Sequence, residues 1–185
     1  MNLEITALPI PGAYEVKSRI FRDHRGEFAR LFCAKELAEI QGDRPILQIN
    51  HSLTRAVGAV RGLHFQHPPA AEAKWVRCLS GRVFDVMVDL RRGSPTFLSW
   101  HAVELSAAAA NAVFIPEGCA HGFQVLQPES MLLYLHSAPY APEHEGGVRW
   151  DDPRIGIDWP VPVKDISERD RNHPLLAVDF EGIEA

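Results

Sequence analysis

The chain has little of several things. It carries three cysteines, Cys33, Cys78 and Cys119, in 185 residues. An odd number with no Cys-x-x-Cys pair argues against a disulfide framework or a zinc ribbon, and points to a reducing, cytoplasmic setting. No apolar run reaches the ~18 residues a membrane span needs. The first twelve residues lack a basic segment followed by an apolar one, so no secretory signal is expected. Positive charge is in deficit: 19 Lys and Arg against 24 Asp and Glu give a formal charge of −5. That balance argues against a general nucleic-acid or anionic-membrane binder and leaves room only for a local basic pocket. No Gly-x-Gly-x-x-Gly segment offers a nicotinamide site. Repeats, low-complexity tracts and linker-like shifts are absent too, so residues 1–185 read as one domain.

What is present is punctuation. Thirteen glycines and fourteen prolines are spread through the chain, and short β-rich runs lie between them. These are Ala59–Phe65, Trp75–Leu79, Arg82–Leu90, Phe97–Leu105, Ala112–Ile115, Phe123–Leu126 and Met131–His136. Such runs, spaced by turn signals such as Arg92-Gly93-Ser94-Pro95, predict an all-β sandwich or barrel. Cys33–Ile40 is the best helix candidate, short and peripheral, while the Ala-rich Ser106–Asn111 is too short to insist on. From Ala141 to the end, Pro, Trp and charge suggest a wrapping segment. The run Val83–Leu90 alternates, with Phe84, Val86, Val88 and Leu90 on one face and Val83, Asp85, Met87 and Asp89 on the other. The second face is either solvated or turned toward a ligand cavity inside a barrel; alternation fits both.

Nine histidines raise the question of convergence. One group is Arg61-Gly62-Leu63-His64-Phe65-Gln66-His67, with Glu72 and Lys74 following. Another is Pro116-Glu117-Gly118-Cys119-Ala120-His121. The Pro-x-Gly-x-x-His segment resembles the second motif of the cupin jelly-roll barrels. The first motif is not matched. His64 and His67, three apart on a strand, point to opposite faces and do not easily share a metal, so no metal is expected. By the same alternation Arg61 and His64 point apart, unless Gly62 between them permits a bulge.

Further segments follow in order: Lys74-Trp-Val-Arg77, Gly81-Arg-Val-Phe-Asp85, Ser94-Pro-Thr-Phe97, His121-Gly-Phe123, Tyr134 and Tyr140-Ala-Pro-Glu143. Trp150-Asp-Asp-Pro153, Gly156-Ile-Asp-Trp-Pro160 and Ser167-Glu-Arg-Asp170 complete the series. Together they resemble the dTDP-4-dehydrorhamnose 3,5-epimerase family from about Phe21 to Pro174. The resemblance implies a cupin-type jelly roll with short peripheral helices, a homodimer and no cofactor. It also implies a nucleotide-diphospho 4-keto-6-deoxy sugar as substrate, epimerised at C3 and C5. An N-terminal strand arm (about 1–25) would be a candidate for exchange between subunits, and a C-terminal wrapping segment (about 141–185) would close the barrel.

The chemistry sets the cast. A C4 ketone acidifies both neighbouring C–H bonds, so an epimerase needs a base on one face, a stabiliser for the enolate oxygen and a proton donor on the other. By the resemblance His64 is the base, Asp170 its partner, Lys74 the stabiliser and Tyr134 the donor. Arg25, Gln48, Asn50, Arg61, His121, Glu145 and Arg169 match substrate-contacting positions, the arginines suiting a diphosphate. The chain departs from the family pattern at Arg30, Leu135 and Cys119. Those departures leave open a C3-only or C5-only epimerase, or a ketoisomerase, on another nucleotide sugar. A metal-dependent cupin and a non-catalytic sugar-binding cupin are the more distant alternatives.

Overall fold

The structure is a computed structural model that describes residues 2–184. Its strands are β1 (Leu3–Ala7), β2 (Tyr14–Ser18), β3 (Ile20–Asp23), β4 (Gly26–Ala29), β5 (Gln48–Thr54), β6 (Ala59–Gln66) and β7 (Lys74–Ser80). There follow β8 (Arg82–Asp89), β9 (Trp100–Ser106), β10 (Asn111–Ile115), β11 (Cys119–Val125), β12 (Ser130–His136), β13 (Glu145–Gly147) and β14 (Asp165–Ile166). Two short helices, α1 (Ala38–Gln41) and α2 (Glu168–Arg171), lie outside the sheets. One sheet runs β1-β2-β10-β7-β12-β5 and the other β13-β6-β11-β8-β9, with β14 added to β6 and β3–β4 standing apart as a hairpin. The fold is the all-β sandwich the strand spacing predicts, and the jelly roll the resemblance implies. The N-terminal segment pairs within its own chain, β1 on β2 and β2 on β10.

The two sheets close on a shared core. Val76, Cys78, Val113, Ile115 and Leu132 from one pack with Val83, Met87, Leu105, Phe123 and Val125 from the other. Each sheet also has an outer cover. Leu37 and Ile40, from the predicted helical stretch, pack with Phe32 on Trp75 and Phe114. Only Ala38–Gln41 is regular helix there, the preceding residues forming turns.

The C-terminal segment covers the second sheet. Ile155, Ile157, Trp159, Phe180 and Ile183 lie against Val86, Val88, Leu90 and Phe84. The Val83–Leu90 run is therefore covered on both faces and its solvated-face alternative falls. Its polar residues turn inward or bridge a turn. Asp85 meets His121, and Asp89 accepts from Arg91, Ser94 and Thr96. That turn, with Leu98 at φ 61°, delays the start of β9 to Trp100, three residues later than the apolar run suggests.

The bulge expected at Gly62 is present. His121 lies opposite His64 and Phe123 opposite Arg61, so β6 spends three residues where β11 spends two. Gly62 sits at φ +113°, and a Cβ there would lie 2.6 Å from both the Gly122 Cα and the His121 carbonyl oxygen. An alanine meets left-handed backbone strain and a clash with backbone together. Gly62→Ala should therefore cost roughly 2–5 kcal/mol and lower the melting temperature by roughly 5–15 °C, read by scanning calorimetry. An unchanged melting temperature would show that the strand closes without the bulge.

Candidate active site

The bulge turns both Arg61 and His64 toward a cavity of about 640 Å³ between the sheets. Two short strands flank β6 on its outer edge. β13 pairs with residues 64–66, and β14 with residues 59 and 60. The Gly62 N–H falls in the gap between them and is taken by a side chain instead. Asp170 Oδ2 accepts from it at 3.0 Å, and Asp170 Oδ1 lies 2.7 Å from His64 Nε2. Ser167 caps α2 by accepting the Asp170 N–H at 3.0 Å, which fixes the carboxylate over the bulge.

Burial alone would raise the Asp170 pKa, but the bonds from His64 and the Gly62 N–H hold it below the ordinary carboxylate range. An ionised carboxylate only accepts, so His64 Nε2 carries the hydrogen, and in the neutral ring Nδ1 keeps its lone pair. The ring is about one third exposed, enough for substrate and water to reach it.

The facing wall comes from the other sheet. Tyr134 and His136, two apart on β12, enter the cavity side by side with ring centroids 6.0 Å apart. Opposite them β5 contributes Asn50 and Ser52, and Ser52 Oγ lies 3.0 Å from the Tyr134 hydroxyl. Burial raises the Tyr134 pKa well above the usual phenol value, so the hydroxyl keeps its proton.

Lys74 opens β7 and is 6% exposed. Its Nζ donates to the His64 carbonyl at 3.3 Å and lies 2.9 Å from Glu72 Oε1. Glu72 Oε2 accepts from His136 Nδ1 at 2.7 Å. Burial opposes the Glu72 charge, yet the bonds from His136 and Lys74 keep its pKa below normal. With Nδ1 donating, His136 Nε2 can accept from the Asn50 amide at 3.4 Å.

At the cavity mouth Glu145 pairs with Arg169 and accepts from the Tyr140 hydroxyl at 2.9 Å. Arg61 donates to Thr54 Oγ1 at 2.9 Å, and among the described residues no carboxylate lies within ion-pair distance of its guanidinium.

Of the residues named from sequence, His64, Lys74, Tyr134, Asp170, Asn50, Arg61, Glu145 and Arg169 line this cavity. Three others sit elsewhere. Gln48 is at the end of β5, accepting the Tyr140 N–H at 3.0 Å. His121 is buried behind Tyr134, its ring 6.1 Å from the phenol and its Nε2 2.8 Å from Asp85. Arg25 tips the β3–β4 hairpin and grips Asp23 at 2.6 Å.

The departures from the family pattern also lie off the cavity. Arg30 pairs with Glu36, Leu135 packs on the outer cluster beside Trp75, and burial pushes the Cys119 thiol up to about 12. His67 sets its ring edge-on to Phe65, outside the cavity. Sequence reasoning did not place Ser52, His136 or Tyr140 in the site. His136 was within reach of it, because a residue two beyond Tyr134 shares its face.

Comparison with known proteins bears on the same residues. The family model for dTDP-4-dehydrorhamnose 3,5-epimerase matches residues 7–178. A Sinorhizobium fredii dTDP-4-dehydrorhamnose 3,5-epimerase is 43% identical over 162 residues, covering 87% of this chain and 83% of that one. A Streptomyces niveus dTDP-4-dehydrorhamnose 3-epimerase is 40% identical over 176 residues, covering 95% and 84%. The crystal structure of the Legionella pneumophila 3,5-epimerase in complex with dTDP-4-keto-L-rhamnose superposes with a TM-score of 0.91 at 36% identity, covering 98% of this chain and 97% of that one. With a family model spanning nearly the whole chain and a matching fold around an imidazole–carboxylate pair, a lysine and a phenol, the chain belongs to the dTDP-4-dehydrorhamnose 3,5-epimerase family of isomerases.

Proposed function

We propose that the chain epimerises dTDP-4-dehydro-6-deoxy-D-glucose at C3 and C5, giving dTDP-4-dehydro-L-rhamnose, with His64, Asp170, Lys74 and Tyr134 as its working groups. The observation that carries this is the placement of base and phenol on opposite sheets. His64 Nδ1 takes the proton from the carbon next to the C4 ketone. The electron pair moves onto the C4 oxygen, where the Lys74 ammonium stabilises it. Tyr134 then protonates the carbon from the opposite face, and Asp170 holds the imidazolium while it exists. A proton leaves and a proton returns, so the balance requires no redox partner. Arg61, which has no carboxylate partner among the described residues, suits the diphosphate, with Arg169 at the mouth.

The test is proton NMR of the enzyme with this substrate in deuterated water. Deuterium at both C3 and C5 with inverted product supports the reading, and none at either carbon rejects it. A single-site epimerase is the second reading, favoured by the Streptomyces niveus relative; incorporation at one carbon selects it.

We also propose that two copies of the chain associate. On β5 the usual alternation is inverted. Asn50, Ser52 and Thr54 face the cavity, while Ile49, 62% exposed, and Leu53 face outward. Phe28 on the β3–β4 hairpin is 68% exposed. An outward apolar row on an edge strand is best explained by a covering partner, and the Arg25 hairpin lies free to reach a neighbour. Sedimentation should give twice the chain mass of 20.7 kDa, and Ile49→Asp with Leu53→Asp should give the single-chain value. A wild-type chain sedimenting alone would overturn the association. The three thiols are free, two of them buried, which fits a cytoplasmic location.

A further inference from the structure

Beside the base and its carboxylate stands a third group that the reaction does not use. His173, two residues beyond α2, sets its ring edge-on to His64, with centroids 5.7 Å apart at 72°. Its Nε2 lies 3.8 Å from Asp170 Oδ1, beyond hydrogen-bond reach. That nitrogen is buried and has no partner. The ring lies flush on the Gly147 backbone, where a Cβ would come within 2.2–2.5 Å of three ring atoms. Glycine at 147 is therefore what lets the imidazole stand against Asp170.

We propose that His64, Asp170 and His173 form a binding site for a divalent transition ion, zinc above all, and that occupancy switches the epimerase off. One ligand atom from each residue lies within 4.8 Å of the other two. Donors held at ~2.0–2.2 Å around a tetrahedral zinc stand roughly 3.3 Å apart. His64 Nε2 and Asp170 Oδ1, now 2.7 Å apart, open slightly, and His173 Nε2 closes by a similar amount. Two imidazoles and one carboxylate suit zinc, cobalt or nickel over magnesium or calcium. The fourth position opens toward the cavity, from which Asp170 and His64 are reached.

The consequence for the reaction follows from proton accounting. A metal on His64 Nε2 displaces the hydrogen that Asp170 accepts, and in the neutral ring that hydrogen moves to Nδ1. The lone pair that would remove the substrate proton is then occupied. No electron moves and no proton is lost to solvent. The ion inhibits by fixing the wrong tautomer of the base. Binding rests on the geometry alone, whereas inhibition rests on the proposed role of His64.

The experiment titrates cobalt(II) into metal-stripped protein, following visible d–d absorption and its displacement by zinc, alongside deuterium exchange into substrate. Wild type should bind one ion per chain and lose exchange as zinc is added, with recovery on chelation. His173→Ala should keep its metal-free exchange while cobalt and zinc bind roughly 10–100-fold more weakly. His173→Gln, which retains bulk without an imidazole, should behave alike and guards against a folding defect in the alanine variant. Equal metal affinity in wild type and both variants would overturn the site, as would no cobalt absorption below millimolar concentration. Stoichiometric binding with undiminished exchange would overturn the switch. A chain with no exchange at all would instead remove the proposed epimerase reading, and the cobalt titration would still decide the site.

Discussion

His64→Ala should stop deuterium from entering either C3 or C5 on the timescale of wild-type turnover, a loss of about 10²–10⁴-fold. NMR in deuterated water reads it directly. Full-rate exchange in the variant would remove His64 from the mechanism. Asp170→Asn should come close to the same loss for a reason specific to this site. The Gly62 N–H is fixed on the bulge and claims the one amide oxygen, so the Asn NH₂ faces His64 Nε2. The ring must then accept at Nε2 and carry its hydrogen on Nδ1, where no proton can be taken. In wild type the Asp170 pKa lies below the ordinary carboxylate range. Its contribution to stability is therefore present above the unfolded-state value and is lost only as pH falls through the lowered folded value. Mild acid should therefore leave the Asp170 carboxylate ionised, so a loss of activity there is not expected to come from this residue.

Tyr134→Phe should separate the two halves of the reaction. The base is untouched, so the first proton still leaves, and His64, being partly exposed, trades it with solvent. Without the phenol the enolate is reprotonated from the face it came from. Deuterium should enter with configuration retained, at rates within a few-fold of wild type, while inverted product falls roughly a hundredfold or more. Loss of exchange and inversion together would mean that the phenol holds the substrate rather than protonating it. Inversion at the wild-type rate would mean that another group is the acid.

Much of this was legible in the chain because short-range rules governed it. Seven apolar runs and their turns gave the central strands of both sheets, and the single glycine between Arg61 and His64 gave the bulge. Where the structure departs, long-range packing decided. β5 reads Gln-Ile-Asn-His-Ser-Leu-Thr, a half-polar run that hides as a loop because its polar face lines the cavity and its apolar face points out. The Val83–Leu90 run left its second face open, since Val113, Ile115 and Leu132, which cover it, come from strands of the other sheet. His121 carried a substrate-contacting motif position and lies behind Tyr134, paired with Asp85, a partner thirty-six residues away. The pairing of Glu72 with both Lys74 and His136 depends on β7 and β12 being neighbours, which no local pattern announces.

The His64–Asp170 bond spans 106 residues, and that distance has a meaning during synthesis. A ribosome that has released the chain through β12 has already made the two main sheets' share of the cavity, with the lysine, the phenol and the imidazole. What it has not made is the carboxylate that gives the imidazole its working tautomer, or the short strand that docks α2 on β6. Until that last stretch settles, the nascent protein lacks both the carboxylate partner of the proposed base and Arg169 at the cavity mouth. Catalytic competence thus arrives in one late step, and the appearance of activity in a translation reaction would time the docking of the C-terminal segment.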